Sequence, residues 1–200
     1  YGTGRGLTTM TMQISGLERI APILITLLAI LWPGAAFSEA ATDWLDGSKA
    51  DIRLISATTA VGDLGTIPLG VEVRLEDGWK TYWRSPGDAG VPPFVAWDGS
   101  SNLAEARFQW PAPVRFNYYD LETFGYQKSV VFPIQVRVAK TGEGVSLRAQ
   151  VDLLICDDVC IPHTFNAALD LPAGPAQPSE YAKLIYQYQS QVPGDGSRVG

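Results

Sequence analysis

Ile67-Pro68-Leu69-Gly70-Val71-Glu72-Val73-Arg74-Leu75-Glu76 is the stretch that decides the fold class. Ile67, Leu69, Val71, Val73 and Leu75 point one way, and Gly70, Glu72, Arg74 and Glu76 the other. A period of two with one apolar side is the pattern of a half-buried β-strand. Asp77-Gly78 is a tight-turn signal. Trp79-Lys80-Thr81-Tyr82-Trp83 then returns as the next strand, with Trp79 and Trp83 on one face.

The same period recurs on both sides. Upstream, Asp51 to Thr59 opens with Ile52 and Leu54 on one face. Downstream, Val145, Leu147, Ala149, Val151, Leu153 and Ile155 alternate and run into Cys156. Ser129 to Val138 reads as a strand whose Pro133 suggests an edge or a bulge, because proline has no N–H to donate. Short apolar pieces at Phe94–Trp97 and Ala106–Trp110 add two more, and Phe165 to Leu171 closes the set. Residues 114–127, rich in aromatics, read as irregular. About eight short strands with frequent turn signals predict an all-β fold, an immunoglobulin-like antiparallel β-sandwich. One short C-terminal helix is predicted within Ser179 to Gln191.

Three segments are expected. Residues 1–40 read as upstream residues plus a secretory signal peptide, with a start at Met10 or Met12. Arg19 precedes a 13-residue apolar run, Ile20 to Trp32, and small residues from Gly34 to Ala40 follow it. That run is shorter than the ~20 residues a spanning helix needs, and its flanks fit a cleavable leader. Residues 41–176 form the sandwich, and 177–200 the helix and a linker that leads to further domains if the natural chain is longer. A net charge of −6 with no basic cluster argues against nucleic acid as a partner. Export would place the chain where cysteines can be oxidised.

Both cysteines and the one histidine lie in Cys156-Asp157-Asp158-Val159-Cys160-Ile161-Pro162-His163. Three chemistries fit this stretch. A structural bridge is the first, yet a loop of five residues is worth roughly 2 kcal/mol against ~4.7 for a hundred. A metal site is the second, with Cys156, Cys160 and His163 as soft ligands suited to copper(I) or zinc. A structural zinc site would want a fourth ligand. A redox-active dithiol is the third. On a straight strand residues four apart lie ~13 Å apart, whereas a disulfide needs Cα atoms within about 7 Å. The chain must therefore turn between the cysteines, and Asp157-Asp158 suits a turn. The two carboxylates would disfavour a nearby thiolate by like-charge repulsion. His163 could lower a thiol pKa as a cation or shuttle a proton.

Gly78-Trp79-Lys80-Thr81-Tyr82-Trp83-Arg84-Ser85-Pro86-Gly87-Asp88-Ala89-Gly90 resembles a conserved run in the amino-terminal periplasmic domain of the DsbD/ScsB thiol:disulfide interchange proteins. Gln109-Trp110-Pro111-Ala112-Pro113, Phe124-Gly125-Tyr126 and Cys156-Asp157-Asp158-Val159-Cys160-Ile161-Pro162 match in the same order, over roughly residues 45–175. Three residues separate the cysteines here, which is similar to the ScsB branch rather than to the DsbD members with five. The resemblance implies an immunoglobulin-like domain with protein-disulfide reductase activity and no cofactor beyond the Cys156–Cys160 disulfide. It implies Cys160 as the exchanging thiol. It implies a cap loop, Asp120, Leu121, Glu122, Thr123, Phe124, Gly125 and Tyr126, with Phe124 as the shield over the cysteines. The implied partners are thioredoxin-like periplasmic proteins and a transmembrane electron-transfer domain of the same or a larger protein. The implied location is the periplasm, tethered to the inner membrane. The rival reading is a periplasmic copper-binding or copper-tolerance protein using Cys156, Cys160 and His163. A second rival is a carbohydrate-binding sandwich with an exposed platform of Trp79, Trp83, Trp97 and Trp110.

Overall fold

The computed structural model describes residues 1–2, 39–118 and 120–194. The expected leader, residues 1–40, lies almost wholly outside them. The chain divides into two units, 1–37 and 38–200, and the second is the subject below. Among the described residues no helix is long and apolar enough to cross a membrane.

The strands form two antiparallel sheets. The first holds β1 (Leu45–Asp46), β2 (Ala50–Ser56), β3 (Thr66–Leu75), β9 (Ser129–Val138) and β6 (Leu103–Phe108), in that spatial order. The second runs β11 (Cys160–Leu171), β10 (Val145–Cys156), β4 (Lys80–Gly87), β8 (Leu121–Gln127) and β7 (Val114–Tyr118). A short strand β5 (Phe94–Ala96) pairs with β10. One helix, α1 (Ala182–Gln189), follows within the predicted span. The predicted immunoglobulin-like antiparallel sandwich with a short C-terminal helix is the fold the chain adopts.

The core forms from the alternating positions that define the strands. Ile67, Leu69, Val71 and Val73 of β3 are fully buried, as are Phe132, Ile134 and Val136 of β9 and Leu147 and Ile155 of β10. Burying each such side chain is worth about 1.5–3 kcal/mol relative to leaving it exposed.

The second face of β3 departs from the half-buried expectation. Gly70 and Glu72 are buried as well. Ile55 and Val131 pack there with Ile185 of α1 in a smaller apolar cluster. A Cβ on Gly70 would lie 2.6 Å from the Val131 side chain, so only glycine allows this approach. Glu72 stays ionically matched through Arg53, whose Nε donates to Oε2 at 2.7 Å.

Two more expectations change. Residues 114–127 are not irregular but form the β7–β8 hairpin, in unbroken register from Val114↔Gly125 to Tyr118↔Leu121. Pro133 sits in β9, an inner strand between β3 and β6, and not on a sheet edge. Its carbonyl accepts from Gln109 N–H at 2.8 Å, so its missing donor faces the side where β6 pairing has just ended at Phe108↔Ile134. The proline thus occupies a local gap inside the sheet.

Candidate redox site

The β10–β11 hairpin positions the cysteines. Its register is continuous over twelve pairs, from Val145↔Leu171 to Cys156↔Cys160. Residues 157–159 close it, and Asp157 N–H donates to the Val159 carbonyl at 3.0 Å. The cysteines are therefore cross-strand neighbours, with Cα atoms 4.1 Å apart and their sulfurs joined in a disulfide. Cys156 is 1% exposed, whereas Cys160 is exposed together with Asp157 and Asp158 at the tip.

Strand parity fixes what shares their face. The odd positions of β10 fill the core, so Cys156 points to the outer face of its sheet. Residues directly opposite in an antiparallel pair share a face. Lys80 of β4 lies opposite Cys156, and Gln127 of β8 opposite Lys80. Lys80 is 9% exposed, and its ammonium lies 5.6 Å from the centre of the Phe116 ring. The outer face therefore carries a lysine opposite Cys156 and, at the end of that lysine's side chain, an aromatic, neither of which the sequence reading singles out. The signal was present as the alternation Val114, Phe116, Tyr118, masked by prolines before it and by Tyr119 at the other parity after it.

The residues of the implied cap loop lie on β8 and the turn before it, with β4 between β8 and β10. Asp120 is exposed at the turn of the hairpin, and Glu122 forms an ion pair with Arg115. Glu122 N–H also donates to Asp88 Oδ2 at 2.8 Å, which ties the hairpin to the segment after β4. Gly125 lies against β4 so closely that a Cβ would come within 2.0 Å of the Thr81 carbonyl oxygen. Tyr126 is buried in the core and its hydroxyl donates to the Pro111 carbonyl at 2.8 Å. Burial pushes the Tyr126 phenol well above its usual range, against a smaller opposing pull from Arg84. Phe124 is half-buried opposite Arg115. Two residues from Tyr126, it shares the core-side face, while Phe116 shares the face of Cys156.

His163 is not gathered with the sulfurs. Three residues beyond Cys160, it falls on the opposite face, opposite Leu153 and stacked on Phe165 with ring centres 5.6 Å apart. Its Nε2 lies 3.2 Å from the Ser48 hydroxyl. Among the described residues no three His, Cys, Asp or Glu side chains converge as a metal site. A three-ligand Cys156, Cys160 and His163 set is therefore split across the sheet. Trp79, Trp83, Trp97 and Trp110 pack against the core and form no exposed platform.

The family model described as "Thiol:disulfide interchange protein DsbD, N-terminal" matches residues 53–172, which include both cysteines and most of both sheets. The chain belongs to the DsbD amino-terminal domain family. Within the solved structures it is similar to the N-terminal periplasmic domain of ScsB from Proteus mirabilis, at 33% identity and a TM-score of 0.61. That match covers 78% of this chain and 60% of the ScsB structure, so this chain spans under two thirds of that relative. A second match is the DsbD N-terminal domain from Neisseria meningitidis in the reduced form, at 16% identity and a TM-score of 0.33. It covers 63% of this chain and 90% of that one. No curated protein matches the chain. As a DsbD-family domain with its cysteine pair in place, the chain is a thiol–disulfide exchange domain.

Proposed function

We propose that this domain is a periplasmic protein-disulfide reductase that relays electrons through Cys156 and Cys160. It receives them from a thioredoxin-like module coupled to a transmembrane electron-transfer domain and passes them to oxidised partner proteins. The observation that carries the reading is the asymmetry of the pair, one sulfur at an exposed hairpin tip and the other buried beside it. The likeness to a periplasmic ScsB domain supports the location.

The Cys160 thiolate attacks one sulfur of the partner's disulfide, forms a mixed disulfide and expels a partner thiolate. The Cys156 thiolate then attacks the Cys160 sulfur and expels the second partner thiolate. The partner gains two electrons, and two protons go to its thiolates. The domain is left as the Cys156–Cys160 disulfide seen here, and a thioredoxin-like dithiol restores it by the reverse steps.

The reduction potential tests this reading. Equilibration in glutathione buffers with thiol trapping should place the pair between about −180 and −270 mV, where exchange-competent pairs lie. A value below about −300 mV would mark a structural bridge and sink the relay.

The β7–β8 hairpin is the proposed cover of the buried sulfur, with Phe124 and Phe116 as its two candidate shields. Face sharing favours Phe116. In the reduced domain, Phe116→Ala should raise the alkylation rate of Cys156 several-fold, and Phe124→Ala should change it less. Equal rates in both variants and the parent would remove the cover.

A further inference from the structure

The face that carries the disulfide does not end at the hairpin tip. Two rungs further along the hairpin Leu154 pairs with Pro162, and two rungs beyond that Asp152 pairs with Thr164. These residues share the parity of Cys156 and Cys160, so they lie on the same face. Strand β5 adds to it, since Phe94 pairs with Asp152. Together with Val91 and Pro92, and with Leu153 and His163 of the rung between them, they line a groove of about 280 Å³ with mainly apolar walls. Phe94 and Val91 in its wall are 62% and 57% exposed. Large exposed apolar side chains gathered around one cleft mark an interaction surface rather than scattered surface residues.

We propose that this groove is the docking site for the thiol-bearing partner. It takes an apolar side chain from the segment that flanks the partner's reactive cysteine. The inference rests on the relay reading and deepens it. Sulfur exchange brings the partner's cysteine onto Cys160, two residues along β11 from Pro162 in the groove wall. Two residues along a strand span ~6.6 Å. A partner chain seated on Cys160 therefore lays its neighbouring side chain over Leu154 and Pro162, against the Phe94 ring. A thioredoxin-like active-site surface presents such a segment, and a small thiol such as glutathione does not. The groove thus separates protein partners from small thiols at a disulfide that both can reach.

The experiment compares the full chain with its Phe94→Ser and Val91→Asp variants, two positions exposed enough to leave folding intact. Reduced thioredoxin and reduced glutathione serve as the two probes, and reduction of the Cys156–Cys160 disulfide is followed by thiol trapping. Each variant should slow exchange with thioredoxin about tenfold, the scale of losing one anchoring contact. Exchange with glutathione should stay within about twofold, because a small thiol gains nothing from such an anchor. Equal slowing with both probes, or none with either, overturns the docking role while leaving the relay standing. Failure of the parent chain to exchange with either probe overturns the relay itself. A parent chain that elutes as a dimer, with both variants monomeric, assigns the groove to a second copy and overturns the proposal.

Discussion

A Cys156→Ser variant should accumulate a mixed disulfide through Cys160 when mixed with excess oxidised glutathione, whose expelled thiol is not tethered to the adduct and so does not reverse the step intramolecularly. A Cys160→Ser variant should form none, and both should lose turnover down to the uncatalysed background. The asymmetry follows from burial. Cys160 is exposed at the hairpin tip, whereas Cys156 is 1% exposed behind it. A partner sulfur must reach the attacked or attacking sulfur nearly in line, which only Cys160 permits. Cys156 then acts intramolecularly to resolve the adduct, and serine cannot do so. Loss of the cross-link is not a folding catastrophe, since a five-residue loop contributes only about 2 kcal/mol. The variants should therefore remain folded at 25 °C, and near-ultraviolet circular dichroism checks it. An adduct in Cys160→Ser instead would reverse the order of attack. Undiminished turnover in either variant would move the chemistry away from this pair.

The parts of this arrangement differ in how far the sequence discloses them. The alternation of Ile67 to Glu76 and of Val145 to Ile155 reads directly, because each residue's side is set by its own neighbours. The turn between the cysteines follows from chain geometry alone. His163 lies on the opposite face by simple parity once Cys156 pairs with Cys160, so its separation from the sulfurs is legible in the sequence. Other features depend on pairings between distant segments. Nothing near Gly70 or Glu72 announces that α1, more than a hundred residues later, covers their face. The cleft beside the disulfide exists only because Phe94 pairs with Asp152 across 58 positions. The β7–β8 hairpin was hidden for another reason: its register pairs even with odd positions, so Phe116 lies on the outer face while Phe124 and Tyr126 lie on the core side, and no single apolar face stands out in the sequence.

Phe132→Ala should be the most damaging single change to stability, costing about 3–5 kcal/mol. Phe132 is fully buried at the centre of an aromatic cluster. Its ring lies 5.1 Å from Tyr126, 5.2 Å from Phe108 and 5.7 Å from Trp110, centre to centre. Truncation removes its buried area and leaves a cavity that these large rings cannot collapse to fill. The thermal midpoint should drop by about 6–20 °C, given ~2–4 °C per kcal/mol for a chain of this size. A drop under about 3 °C would mean that the cluster relaxes, and the packing account would be wrong. The same variant also tests how the core and the disulfide are connected. From Phe132 the path runs to Tyr126, which pairs with Thr81, next to Lys80 and so to Cys156. The backbone ladder, rather than the ring cluster, holds Lys80 opposite Cys156. The reduction potential should therefore stay unchanged in Phe132→Ala at a temperature where it is fully folded. A shifted potential would show that core packing, transmitted through β8 and β4, sets the environment of the buried sulfur.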